Sequence, residues 1–306
     1  MDHKLYLGDK GIYRVNGVFY FHKTKKTVQD PKTLERLRRL VVPPAWSNVW
    51  YASNPKCHIH VHGIDQGGKK QYILSDKWVQ NAKYEKFNRM KRFIKQLSSF
   101  KRVIELPHNV SITRENVIHL LFNLLIDLHV RVGNEIYAEN NKTYGLTTLR
   151  QRHLKFADGV FQLHFTGKSN IKHNVTIPLK YNGWFNELKK SDKNSLLFKY
   201  NSRAVTSEEL NDYLKNVMGR EYTCKDFRTY SANMLFIYSF LKNCKTVHNP
   251  KKCVLKSIDE AAQQLGHTRS VSRKSYISES VLDYCVMSFP EACGCSSASL
   301  LSRVWS

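Results

Sequence analysis

No stretch of this 306-residue chain approaches the roughly 18 uninterrupted apolar residues of a membrane span, and the opening MDHKLYLGDK has no apolar signal core. A soluble, intracellular protein with no membrane partner is therefore expected. Acidic residues are scarce: 25 Asp and Glu stand against 49 Lys and Arg, leaving a formal charge of +24 and a pI near 9.7. That imbalance is the electrostatic footprint of a protein that meets a polyanion, nucleic acid first among them. The seven cysteines (57, 224, 244, 253, 285, 293 and 295) are odd in number and mostly scattered, which suits reduced thiols better than a disulfide framework. Only Cys293 and Cys295 are close together, and two ligands without partners of suitable spacing do not make a zinc site. His58, His60 and His62 alternate along one strand face, yet no carboxylate or cysteine of ligand spacing joins them, so a solvated or nucleic-acid-facing edge is expected there and no metal. No internal repeat is present.

What the chain has in quantity is the material of a folded core. A hydrophobic fraction of 42% with 12% aromatics places the basic charge on a globular surface, not on a disordered tail. Its length makes two domains the default. Residues 1–80 read as β-rich: Asn16-Gly17 in GIYRVNGVFYFHK is a hairpin signal, and the strand-like runs VWYA, CHIHVH and KKQYIL follow. Between them Asp30 caps a helix that opens at Pro31 and stops before Pro43-Pro44. From about Lys83 the period turns helical, with Tyr84, Phe87, Met90, Ile94 and Leu97 on one side. VIHLLFNLLIDLHVRVG is apolar on more than one face, so a buried central helix is expected. Residues 153–180 break the helical pattern, and Asp158-Gly159 and Gly167-Lys168 look like hairpin tips of a three-stranded insertion. Capping boxes at Thr206/Glu209 and Ser257/Glu260 open later helices, the second ending at Gly266. The stretch after about residue 285, SFPEACGCSSASLLSRVWS, is weakly periodic and reads as a loosely packed tail. The expected fold is α+β: a small antiparallel-sheet domain over 1–80 and a larger, mainly helical domain over 81–306 carrying the β insertion.

Residues 265–276, LGHTRSVSRKSY, set a histidine and a tyrosine on either side of Arg269, Arg273 and Lys274, in surroundings unlike a core. A phosphodiester broken by side chains alone builds negative charge on its non-bridging oxygens, and fixed cationic donors are the largest stabilisation available. Arginine suits that task because its planar fork donates twice to one phosphate. The chain offers Arg131 in HVRVGNEIY, Lys168 in TGKSN, Arg228 in KDFRTY, then His267 and Tyr276. Singly, each has a plain reading: the arginines as surface ion-pair members, His267 as a helix C-cap, Tyr276 as a core aromatic, Lys168 as a solvated turn residue. The ordered set favours a phosphate site.

That set, with VPPAWSNVW, GIDQGGKKQY, RVGNEIYAENNKTYGLTTLRQRH, FTGKS, KDFRTYSAN and LGHTRSVSRKSY, resembles the type IB DNA topoisomerases, most closely their short poxviral, giant-virus and bacterial forms. The resemblance covers both expected domains up to about residue 285. It implies a clamp round double-stranded DNA, a monomer, and relaxation of supercoils without ATP, metal or other cofactor. Tyr276 would attack the scissile phosphate to form a 3′-phosphotyrosine; Arg131, Arg228 and His267 would hold the non-bridging oxygens; Lys168 would protonate the leaving 5′ oxygen. Lys69, Lys70, Gln71 and Tyr72 match the segment by which the N-terminal domain touches the duplex, and Tyr137 shares the helical stretch after Arg131. Arg269, Arg273 and Lys274 would lie along DNA. Asn134 and Ile136 stand where poxviral members tend to carry lysines, and Leu74 where they carry tyrosine. Location would be the virion and host-cell cytoplasm for a viral chain, the bacterial cytoplasm otherwise. Two rivals remain at this stage. A tyrosine recombinase or integrase shares the chemistry but usually has histidine three residues before the second arginine, where this chain has Lys225. A non-enzymatic DNA-packaging protein accounts for the charge and leaves the five residues without a role.

Overall fold

The computed structural model describes residues 10–305, in two compact units, Met1–Phe87 and Asn88–Ser306. The first is built on a five-stranded antiparallel sheet in the order β2-β1-β3-β4-β5, with β1 Ile12–Val15, β2 Val18–Phe21, β3 Ser47–Tyr51, β4 Ile59–Ile64 and β5 Lys70–Leu74. Asn16 and Gly17 take φ of 48° and 82° between paired Val15 and Val18, the left-handed turn that matches strand twist. Helix α1, Pro31–Arg39, starts where Thr33 N–H donates to the Asp30 carboxylate at 2.8 Å, and ends at a Leu40 cap ahead of the Pro43-Pro44 stop. Ile12, Phe19, Leu37, Tyr51 and Val61 form the core of this unit. On β4 the odd positions face that core and the histidines face away. His62 stacks on Trp50 at 5.1 Å and His58 on Trp78 at 4.2 Å, so aromatic packing occupies both rings.

Helix α2, Asp76–Val103, begins seven residues before the apolar period shows, because its first two turns carry mostly exposed side chains. The unit boundary falls within it. In the second unit α3, Arg114–Leu128, is buried round most of its circumference, as its unbroken apolar run requires. Phe93 and Phe100 of α2 and Phe122 of α3 meet Phe227 of α7, Cys224–Asn243, with ring centroids 5.0, 5.9 and 5.7 Å apart. The insertion is the meander β6 Leu154–Ala157, β7 Val160–Thr166 and β8 Lys172–Thr176. Helices α4 Glu135–Asn141, α5 Asn182–Leu188 and α6 Ser207–Met218 lie between these elements in sequence. The Thr206/Glu209 capping box opens α6.

Two local expectations change. Helix α8 runs Pro250–Leu265, capped by Asn249, whose side chain accepts from Lys252 N–H at 3.0 Å. Ser257 is therefore buried in mid-helix, its hydroxyl donating to the Cys253 carbonyl at 2.8 Å, and no second capping box exists there. An Asn before a Pro at the first helical position outcompetes a serine that can satisfy itself one turn back. After α9, Arg269–Ser275, the chain forms α10 Glu279–Met287, α11 Phe289–Cys293 and α12 Ser297–Trp305. Ala292, Leu300 and Trp305 are buried in the main core, so the stretch expected to be a loose tail packs. Each of these helices is too short for a period to register in sequence. Among the described residues no helix is long and apolar enough to cross a membrane.

Candidate active site

Arg131 is held by backbone on backbone. Helix α3 ends at His129 in the left-handed region, φ 55°, and residues 131–133 then run beside 145–147: Leu146 N–H donates to Arg131 O at 2.9 Å and Thr147 N–H to Val132 O at 2.7 Å. Gly133, at φ 109°, and Gly145 allow this approach; a β-carbon on Gly145 would stand 2.5 Å from Gly133 N. The long motif from Arg131 to Leu149 is thus one object, two strands of backbone pinned at a neck with α4 as the excursion between them.

Arg228 comes from the second turn of α7. Asp226 fixes that end, accepting from Thr223 N–H at 2.8 Å and from Arg89 at 3.1 and 3.2 Å. The Arg228 side chain is 7% exposed and donates to the carbonyls of His129 and Leu265, joining the ends of α3 and α8. Gly266 closes α8 in the left-handed conformation, φ 60°, and turns the chain so that His267 faces the arginines. Arg131 Nη2 and Arg228 Nη2 donate to His267 Nε2 at 2.9 and 3.1 Å. With two guanidinium donors on Nε2, the ring proton belongs on Nδ1, which faces the buried Ser272 hydroxyl at 3.3 Å. Tyr276 stacks on His267 at 4.5 Å between centroids and 25° between planes. It is the C-cap of α9. Asn233 holds it there, donating to Tyr276 O at 3.0 Å and accepting from Ser278 N–H at 2.9 Å. Lys168 sits exposed on the turn between β7 and β8.

The electrostatics are those of an anion site. Burial, then the charge of Arg131, brings the Arg228 pKa down to about 9. Burial, then Arg228, Arg131 and Lys168 in that order, brings His267 down to about 3, so its ring is neutral at pH 7. Among the described residues neither Arg131, Lys168 nor Arg228 has a carboxylate partner, and the buried Nε of Arg228 has no hydrogen-bond acceptor. Cations gathered without counter-charge are costly unless something negative joins them. Among the described residues no group of three or more His, Cys, Asp or Glu is placed to hold a metal.

Four of the five residues singled out in sequence meet directly or through His267, and Lys168 acts on the same histidine by its charge. Of the others, Tyr137 stands half-exposed on α4 beside the exposed Ile136. Arg273 and Lys274 are exposed in the last turn of α9, while Arg269 is engaged by Asp259, with Nε to Oδ1 at 2.6 Å. In the first unit, Asp65 shapes the turn before β5 by accepting from Gly67 and Lys69 N–H, and takes the Gln71 amide at 2.7 Å. Lys70 lies over the exposed Tyr72 ring at 5.6 Å. Sequence reasoning missed His129, Asn233 and Ser272. Asn233 closes the stretch KDFRTYSAN and Ser272 lies within LGHTRSVSRKSY, whereas the part of His129 is played by its carbonyl, which no side-chain pattern reveals.

Residues 75–285 match the family model described as eukaryotic DNA topoisomerase I, catalytic core, and residues 17–65 the one described as bacterial DNA topoisomerase IB, N-terminal domain. DNA topoisomerase 1B of Acanthamoeba polyphaga mimivirus is 36% identical over 296 residues, spanning 90% of this chain and 84% of the relative. The chain belongs to the type IB DNA topoisomerase family. As a type IB topoisomerase it is an enzyme, an isomerase. DNA topoisomerase I of Monkeypox virus is 28% identical over 228 residues, covering 72% of this topoisomerase and 70% of its own length. DNA topoisomerase 1 of rabbit fibroma virus is 29% identical over 239 residues, with the same coverage. Among solved structures, the XerH site-specific recombinase bound to its difH substrate aligns at a TM-score of 0.37 and 16% identity over 74% of this chain and 59% of the recombinase.

Proposed function

We propose that this topoisomerase relaxes supercoiled double-stranded DNA by cutting and resealing one strand through Tyr276. The observation that carries the reading is the convergence of Arg131 and Arg228 on His267 at 2.9 and 3.1 Å, beside a stacked tyrosine, with neither arginine paired to a carboxylate among the described residues. The Tyr276 hydroxyl gives up its proton to solvent as its oxygen attacks phosphorus, the bond from phosphorus to the 5′ oxygen breaks, and Lys168 delivers the proton that the departing alkoxide takes up. The product is a 3′-phosphotyrosine and a 5′ hydroxyl. Arg131 and Arg228 move their N–H groups from the histidine to the non-bridging oxygens, where charge develops. Once the guanidinium donors leave Nε2, His267 becomes free to donate from that nitrogen, in its other tautomer or as imidazolium. Ester exchange conserves the energy of the bond, so the 5′ hydroxyl reverses the reaction without ATP, and with cations from the chain no metal is required.

Lys69, Lys70, Gln71 and Tyr72 in the first unit, and Tyr137, Arg269, Arg273 and Lys274 in the second, are assigned to the duplex, with the two units closing as a clamp. Arg269 would have to leave Asp259 to take part. The proposed enzyme acts as a monomer, in the virion and host-cell cytoplasm for a viral chain and in the bacterial cytoplasm otherwise. The test is plasmid relaxation in EDTA without ATP, with detergent trapping of the covalent adduct. Relaxation of both supercoil signs and an adduct lost in Tyr276→Phe are expected. A need for Mg²⁺, or for paired sites as a recombinase has, would overturn the reading, as would compaction without relaxation.

A further inference from the structure

Two glycines precede two of the residues assigned above, Gly167 before Lys168 and Gly266 before His267. Both abut the same side chain. A β-carbon on Gly167 would lie 2.7 Å from Cδ2 and Nε2 of His173, and one on Gly266 would lie 3.6 Å from His173 Cε1. His173 stands on β8 opposite Phe165 of β7, and the two rings stack at 4.8 Å and 14°. The turn between them is closed by Gly167 N–H donating to Ile171 O at 2.7 Å, and Ile171 would meet the Gly266 β-carbon at 3.0 Å. The imidazole is therefore wedged between the hairpin turn that carries Lys168 and the helix end that carries His267. Burial, then the charges of Arg228 and Arg131, hold its pKa below the usual histidine value, so the wedge is uncharged at pH 7. Lys168 itself is exposed, on a turn where Ser169 and Asn170 both have positive φ, and among the described residues its ammonium has no hydrogen-bond or salt-bridge partner.

We propose that His173 is a positioning residue for Lys168, a flat neutral ring that docks the β7–β8 turn against the end of α8 and so delivers the ammonium to the phosphate held by the arginines. This rests on the reading of Lys168 as the acid for the 5′ oxygen. It follows that loss of the ring should mimic, in weaker form, loss of the acid. A sulfur in place of the 5′ bridging oxygen leaves as a thiolate, which needs little protonation, since thiols ionise near pH 8.5.

Single-turnover cleavage of normal and 5′-bridging phosphorothiolate duplexes should be measured for wild type, Lys168→Ala, His173→Ala and His173→Phe. General acids contribute about 10²- to 10⁴-fold. Lys168→Ala should lose that factor on the normal duplex and regain most of it on the phosphorothiolate. His173→Ala should slow the normal duplex by about tenfold to a hundredfold, a part of the same factor, and recover to within about threefold of wild type on the sulfur substrate. His173→Phe, which keeps a flat ring, should cleave both nearly as wild type does. Adduct formation by His173→Ala on the sulfur substrate also reports that the variant is folded. Equal slowing of His173→Ala on both substrates, no slowing on either, or a Phe variant as slow as Ala on the normal duplex would overturn the inference. Failure of the sulfur to rescue Lys168→Ala would instead remove the acid reading on which it stands.

Discussion

Lowering the pH should loosen this protein through His267. In the unfolded chain that imidazole titrates near 6.5, whereas in the folded site it is held down to about 3, by burial first and by Arg228, Arg131 and Lys168 after that. Below pH 6.5 the unfolded state binds a proton that the folded state refuses, so this contribution to stability is complete above pH 6.5 and is lost as the pH falls toward 3. The gap between 6.5 and 3 is 3.5 pH units, or about 5 kcal/mol at about 1.4 kcal/mol each, an upper limit reached only at pH 3 and below. At pH 5 the share is 1.5 units, about 2 kcal/mol, and screening at a half-buried site brings it nearer 1 kcal/mol. His267→Gln keeps a hydrogen-bonding side chain and cannot titrate. Urea unfolding of both proteins at pH 7 and pH 5 isolates the effect, since the other depressed histidines, His62, His119, His129, His153 and His173, are common to both. Wild type should lose about 1 kcal/mol more than the variant over that interval. Parallel losses would refute the argument, because they would mean that burial and the neighbouring cations do not hold the ring neutral.

Other outcomes follow from the same geometry. Tyr276→Phe should bind duplex with wild-type affinity in a filter or anisotropy assay and form no adduct at any time; an adduct would move the nucleophile elsewhere. Binding should weaken steeply with salt, with a slope of log K against log salt of about −5 or steeper for roughly six neutralised phosphates, and a slope near −1 would contradict enclosure of the duplex. Gly145→Ala drives a β-carbon to 2.5 Å from Gly133 N. It should cost about 1–3 kcal/mol in denaturant unfolding and slow single-turnover cleavage by displacing Arg131, whereas unchanged cleavage would show that the neck does not place that arginine.

Where the fold was legible in the sequence, the signal was local. Asp30 before Pro31, Thr206 before Glu209 and the Asn16-Gly17 turn each satisfy backbone groups within a few residues, so spacing alone announces them. Ser257 with Glu260 carries the same letters without the same role, because the helix had already begun at Pro250 and the serine could bond backward to Cys253. The stretch after residue 285 was misread for want of length, since a five-residue helix such as α11 buries Ala292 without completing two turns. In the site, the chemistry-bearing side chains could be read from their order along the chain. Their supports could not: the His129 carbonyl under Arg228, the Asn233 amide between Tyr276 and Ser278, and the His173 ring beside two glycines are contacts between distant segments.

The neck where residues 131–133 lie against 145–147 has a consequence for how such an enzyme can vary. Both ends of the excursion from Asn134 to Tyr144 are fastened to one another before the chain goes on, so its exposed positions can change without touching the hydrogen bonds that hold the backbone at Arg131. Exposed Ile136 and Tyr137 lie on that excursion, and Asn134 begins it as the cap of α4. The neck works as a socket and the excursion as an interchangeable head. A change at Ile136 or Tyr137 falls on the head, away from the two backbone hydrogen bonds that fix the chain at Arg131 and Val132.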